Sequence, residues 1–136
     1  MVAALTLGSL FVAASPAQAA EKSCPRSGYI SNNNVCTTLS NGVLSHQKYY
    51  NSGAYTQIAV TQYWKSGGSR IYKRLGFTGP FTNVGTQWQG WGYQYSGTNK
   101  SFSKNYLNSL SGCRSSQGLM EVSGSTVYKT PWSANC

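Results

Sequence analysis

Catalysis by proton transfer needs ionisable side chains, and this chain of 136 residues has few: two carboxylates, Glu21 and Glu121, no Asp, and a single histidine, His46. A pair of carboxylates that protonates one atom and activates another would have to join Glu21, near the chain's start, to Glu121, near its end. His46 has no Asp to orient it, so neither a serine triad nor a thiol protease assembles in the usual way. A nuclease built on His46, with Lys or Arg stabilising phosphate, is conceivable. A polar position on a strand in "LSHQKYY" is the simpler reading. Phosphate loops of the Gly-rich type and a set of catalytic metal ligands are both missing from the sequence. The expectation is a protein that binds rather than reacts, with no catalytic residues, metal or cofactor.

The four cysteines, Cys24, Cys36, Cys113 and Cys136, suit two disulfides in an oxidising compartment. Three connectivities are open. Pairing of sequence neighbours, Cys24 with Cys36 and Cys113 with Cys136, is favoured because each closes a short loop. A zinc site is disfavoured because neither pair has C-x-x-C spacing. The apolar run Val2 to Ala14, followed by Ser15-Pro16 and Ala17-Gln18-Ala19, has the pattern of a secretory signal peptide over residues 1–19. It falls short of the ~20 residues that span a bilayer, so no transmembrane segment is expected in the mature chain. Residues 20–136 then form a single exported β-rich domain that opens with an extended N-terminal segment, 20–30.

Eleven Lys plus Arg against two Glu give a formal charge of +9. Such a surface favours anionic partners, or serves only solubility. Arg70, Lys73 and Arg74 form the one basic cluster, in "SRIYKRLG", which is thin support for a nucleic-acid groove; nucleic acid is not expected as a partner.

These residues must be positioned by short strands, since Tyr, Thr, Ser, Asn, Gln and Gly dominate and long helical periodicity is absent. In "AYTQIAVTQYWKSGGSRIYKRLGF", Ile58, Val60 and Trp64 alternate with Tyr55, Ala59 and Tyr63, and Ser66-Gly67-Gly68-Ser69 predicts a hairpin turn. Beyond it, Ile71, Lys73 and Leu75 alternate with Arg70, Tyr72 and Arg74, which predicts a basic cluster looking largely outward. A second hairpin is predicted at "GLMEVSGSTVYKT" around Ser123-Gly124-Ser125. In "TQWQGWGYQYSG", alternation puts Gln89, Trp91, Tyr93 and Tyr95 on one face and Trp88 on the other, with Gly90 and Gly92 weakening or bulging the strand. The stretch 101–111 is open between strand and short helix, because Phe102, Tyr106 and Leu110 recur at helical spacing. The fold class is all-β and mainly antiparallel, a small disulfide-stapled sandwich or barrel-like domain.

Two surfaces suit binding. Trp91, Tyr93 and Tyr95 could stack on sugar rings, with Gln89 and Gln94 supplying hydrogen bonds, or anchor a protein interface. The N-terminal segment offers Lys22, Pro25, Arg26, Ser27 and Tyr29: Pro25 restricts the backbone and Cys24 tethers it, which lowers the entropy lost on binding. A stapled surface loop with no partner is the plainer alternative, and a serine-protease inhibitor presenting Arg26 is another.

An export signal, the segment "AEKSCPRSGYI", a Tyr- and Gly-rich β domain and four cysteines together resemble small exported proteins of Streptomyces, and among them the UmbB family, the adaptor subunits of umbrella toxin particles. That resemblance implies an adaptor linking a trypsin-like lectin subunit to the stalk of a large antibacterial toxin, with Lys22 to Tyr29 entering the lectin's cleft. The leading expectation is thus a secreted, non-catalytic adaptor whose partners are other secreted proteins. A stand-alone module for carbohydrate or cell-wall glycan is the alternative.

Overall fold

A computed structural model describes residues 21–51, 56–79, 85–107 and 114–134. The predicted signal segment, Cys113 and Cys136 lie outside the described residues. The described chain is all-β, with ten strands: β1 (Tyr29–Ser31), β2 (Asn34–Leu39), β3 (Gly42–Asn51), β4 (Thr56–Lys65), β5 (Ile71–Thr78), β6 (Gln87–Trp88), β7 (Gly92–Gln94), β8 (Thr98–Leu107), β9 (Gln117–Val122) and β10 (Val127–Lys129). They form two antiparallel sheets packed as a sandwich. The first has the order β1-β2-β3-β4-β8; the second has β10-β9-β5-β6, with β7 also on β5.

Alternation decides which side chains meet between the sheets. Leu44, Tyr63, Leu75 and Met120 form the main cluster, and Ala59 and Phe77 a second one against Phe102. The rings of Phe77 and Phe102 lie 5.6 Å apart, centroid to centroid. β3 lies against β9, β4 against β5, and the Thr37 hydroxyl of β2 donates to the Lys129 carbonyl of β10 at 3.1 Å. One edge of the sandwich is therefore β1 with β10, and the other is β8 with β6 and β7.

Two sequence expectations are revised. The Ser66–Ser69 turn does not close a hairpin: β4 pairs with β3 and β8, while β5 pairs with β9, β6 and β7. The turn, with Gly68 at φ 74°, carries the chain from one sheet to the other. β5 turns Leu75 and Phe77 inward and β4 turns Tyr63 and Ala59 onto them, and stacking these side chains removes apolar surface from water. Residues 101–107 are strand, paired along β4 from Lys65↔Thr98 to Thr56↔Leu107, so the helical reading of that stretch falls; Leu110 lies outside the described residues. The hairpin at Ser123–Ser125 is present, closed by Ser125 N–H donating to Val122 C=O at 3.0 Å.

Cys24 and Cys36 form a disulfide. Cys36 points away from the core, so the bond draws Glu21 to Cys24 across the outer face of the first sheet. There the Lys22 ammonium sits 4.6 Å from the Trp64 ring centroid, and Asn34 Nδ2 donates to Glu21 Oε1 at 3.1 Å. This pairing uses two of the four cysteines and removes a four-cysteine zinc site. Among the described residues no helix is long and apolar enough to cross a membrane.

Candidate functional site

β6 and β7 lie end to end along β5, but their registers do not match. Trp88 pairs with Gly76, and Gly92 with Lys73, so Gln89, Gly90 and Trp91 occupy the length of only Arg74 and Leu75. One extra residue is a β-bulge. Gln89 mends the ladder: its N–H donates to Leu75 C=O at 2.8 Å, and its side-chain Oε1 accepts from Leu75 N–H at 3.1 Å, in the place of a backbone carbonyl.

The bulge resets which face each later side chain occupies. Trp88, Trp91 and Tyr93 all come out on the outer side of the second sheet, where Arg74 and Tyr72 also point. Tyr72 stacks on Trp91 with centroids 5.5 Å apart and meets Tyr93, its cross-strand partner, at 4.8 Å. The Arg74 guanidinium lies 4.4 Å from the Trp88 ring and 5.0 Å from the Trp91 ring, and its Nε donates to Glu121 Oε1 at 3.1 Å. The Arg70 guanidinium lies 4.6 Å from Tyr93. A hydrogen bond with Tyr95 and the nearby tyrosine oxygens push the Arg70 pKa still higher, so it stays charged. Gly76 makes room for this layer: a Cβ there would lie 2.6 Å from Trp88 Cε3.

The result is a continuous ladder, Arg70–Tyr93–Tyr72–Trp91–Arg74–Trp88, in which each ring is held by a neighbour. Such contacts contribute about 0.5–1.5 kcal/mol each and pre-order the side chains. Tyr72, Trp91, Tyr93 and Tyr95 are nevertheless exposed.

No family model, curated protein or solved structure matches the chain.

Several predicted site residues fall elsewhere. Trp88 shares the face of Trp91 and Tyr93 rather than opposing it, because of the bulge. Lys73 is not part of an outward basic patch: it points between the sheets, 4% exposed, and burial, with the charge of Lys100, lowers its pKa to about 8. The Gln89 side-chain oxygen is spent on the backbone N–H of Leu75, and the buried Gln94 amide nitrogen donates to the carbonyls of Tyr63 and Thr98 at 2.8 and 2.9 Å, so these two groups do not face a ligand as expected. Tyr72, at the centre of the ladder, was legible only as one outward position on a strand, since nothing local says which strand lies beside it.

On the opposite edge, Pro25 to Gly28 form a turn, with Gly28 N–H donating to Pro25 C=O at 2.9 Å, so the extended run expected over 20–30 is interrupted there. Pro25, Arg26 and Ser27 are exposed at its tip. Gly28 sits at φ 79°, and a Cβ would meet Pro131 Cγ at 2.7 Å, so the turn is pressed against the C-terminal segment. Tyr29 follows, its hydroxyl donating to Trp132 C=O at 3.1 Å, and Tyr29, Ile30 and Trp132 are each exposed. A cavity of about 300 Å³ opens between the turn, Thr38 and Pro131. Lys22 is not at this tip; it lies on Trp64.

His46 is fully buried. Its Nδ1 is 2.9 Å from Thr61 Oγ1 and its Nε2 is 2.7 Å from Ser116 Oγ, which is in turn 3.1 Å from Ser133 Oγ. The Ser–His contact has the distance of an acyl-transfer pair, but Ser116 has no exposed surface. Burial, and then the charge of Lys48, lower the His46 pKa to about 3, so the ring is neutral and ties the two sheets and the C-terminal segment together.

Proposed function

We propose that the protein is a non-catalytic adaptor of exported proteins that engages two partners at once. The observation that carries this reading is the separation of its two exposed aromatic surfaces. The ladder lies on the outer face of the second sheet toward the β6–β7 edge, and the Arg26 turn with Tyr29, Ile30 and Trp132 lies at the β1 edge. A single partner of ordinary size does not need both. Under the umbrella-particle resemblance, the turn side takes the trypsin-like lectin subunit and the ladder takes the toxin stalk. The test is affinity purification of the tagged protein from culture supernatant. Two larger proteins should co-purify in stoichiometric amounts, deletion of residues 21–29 should release one, and Tyr72→Ala with Trp91→Ala should release the other. A monomer that elutes alone in gentle size exclusion sinks the reading.

A second reading, a carbohydrate or cell-wall module, is favoured by the exposed rings of Trp91, Tyr93 and Tyr95. It expects binding to insoluble peptidoglycan or glycan that Trp91→Ala abolishes. The inhibitor reading is weaker, because Arg26 sits within a closed turn rather than on extended backbone.

A further inference from the structure

Between the sheets, at the end where the Ser40–Asn41 turn meets β9 and β10, lies a cavity of about 150 Å³. Leu39, Ile71, Met120 and Val122 give it an apolar side, and Tyr63, Lys65 and Tyr128, with the Ser40–Asn41 turn, a polar one. An apolar cavity of about 150 Å³ has room for one benzene-sized molecule. The charge at its wall is unusual. Lys65 is 1% exposed, and its ammonium donates to the Gly67 carbonyl. An ammonium has three N–H donors, and a buried one without a counter-ion is costly. The chain's two acidic side chains are engaged elsewhere, Glu121 with Arg74 and Glu21 with Asn34. Lys65 is thus a buried amine at the wall of a cavity with one apolar side, and no carboxylate side chain is paired with it.

We propose that this cavity binds a small apolar carboxylate of about benzoate's size, its ring or branched chain against Leu39, Ile71, Met120 and Val122 and its carboxylate on the Lys65 ammonium. The site is separate from both surfaces of the adaptor reading and stands or falls without it.

The test is a titration of the intact, disulfide-bonded protein, followed by NMR of its methyl groups, with sodium benzoate and with benzamide, its neutral isostere. Benzoate should shift the methyls of Leu39, Ile71, Met120 and Val122 saturably, and benzamide should bind about tenfold or more weakly, because a charge-assisted hydrogen bond is lost. Lys65→Met keeps the stem and removes the charge, and should erase the preference. Val122→Phe fills the space and should abolish binding of both compounds. Equal affinity for benzoate and benzamide, shifts confined to other residues, or no saturable shift at all overturns the proposal. The comparison of the two compounds on the unaltered protein decides it even if a variant fails to fold.

Discussion

Tyr72 and Tyr93 face one another across β5 and β7 with ring centroids 4.8 Å apart, and they do so because one extra residue lies between Trp88 and Gly92. Were the same residues to run on with the regular period and no bulge, Tyr93 would turn into the core and Gln94 would come out. The ladder and the buried amide of Gln94 are two consequences of one bulge.

Deletion of Gly90 should therefore keep the ladder's rings on their face, as its substitution should. A Cβ at Gly90 meets nothing within 4 Å, so Gly90→Ala should leave stability and near-UV circular dichroism close to those of the parent. The deletion leaves Gln89 and Trp91 opposite Leu75 and Arg74 in an even ladder, so Tyr93 still faces Tyr72, and it should cost no more than about 1 kcal/mol. Urea denaturation and near-UV circular dichroism of the two variants check this, and loss of the aromatic signal in the deletion would count against this register as the organiser of the surface.

Acid should destabilise the fold through His46. Its folded pKa, about 3, lies below the ordinary value of 6.5, so the unfolded chain binds the extra proton first. The contribution is complete above about pH 6.5 and declines as the pH falls toward 3, at about 1.4 kcal/mol per pH unit. Denaturant midpoints measured from pH 7 to pH 4 should fall accordingly. His46→Gln should flatten the slope even though it lowers stability at pH 7.

Lys73 should behave as a buried cost. Its folded pKa, about 8, lies below the ordinary 10.5, so stability should rise as the pH climbs from about 8 toward 10.5. Lys73→Met, which fills the same space without a charge, should stabilise the protein by about 1–3 kcal/mol at pH 7. A destabilised Lys73→Met in thermal denaturation would mean that the ammonium makes a contact worth more than its burial costs.

Breaking the Cys24–Cys36 bond should cost about 3 kcal/mol, the chain-entropy value for a loop of its length, 12 residues apart in sequence. The double variant Cys24→Ala, Cys36→Ala should also free Glu21 to Cys24 from the outer face of the first sheet. Faster hydrogen exchange at Val43 to Gln47 and Val60 to Trp64 would report that release, and unchanged exchange would show that the segment does not protect the sheet.

Much of the fold was legible. Alternation at Ile58, Val60 and Trp64 against Ala59 and Tyr63 matches the two faces of β4, and Ser123-Gly124-Ser125 marks a true hairpin, with Gly124 at φ 76°. The Cys24–Cys36 pairing follows from the short loop it closes. Assignment to sheets was not legible, because a turn such as Ser66–Ser69 fits a hairpin and a passage between sheets equally well. In the aromatic site the reading broke where alternation was carried past Gln89 as though no residue had been inserted, and elsewhere it missed the burial of Lys73 and the turn at Pro25–Gly28.

The residue types alone determined that this chain forms strands, bears a high positive charge, and carries two Glu, no Asp and one histidine. These are matters of composition and short-range pattern, which neighbours in sequence settle. Only the tertiary structure decided that Lys73 and Lys65 are inside, that His46 ties the sheets together, and that Tyr72 lies between Trp91 and Tyr93. Each depends on which strand packs beside or above another, and that choice is made by burial summed over the whole sandwich rather than by any single stretch of chain.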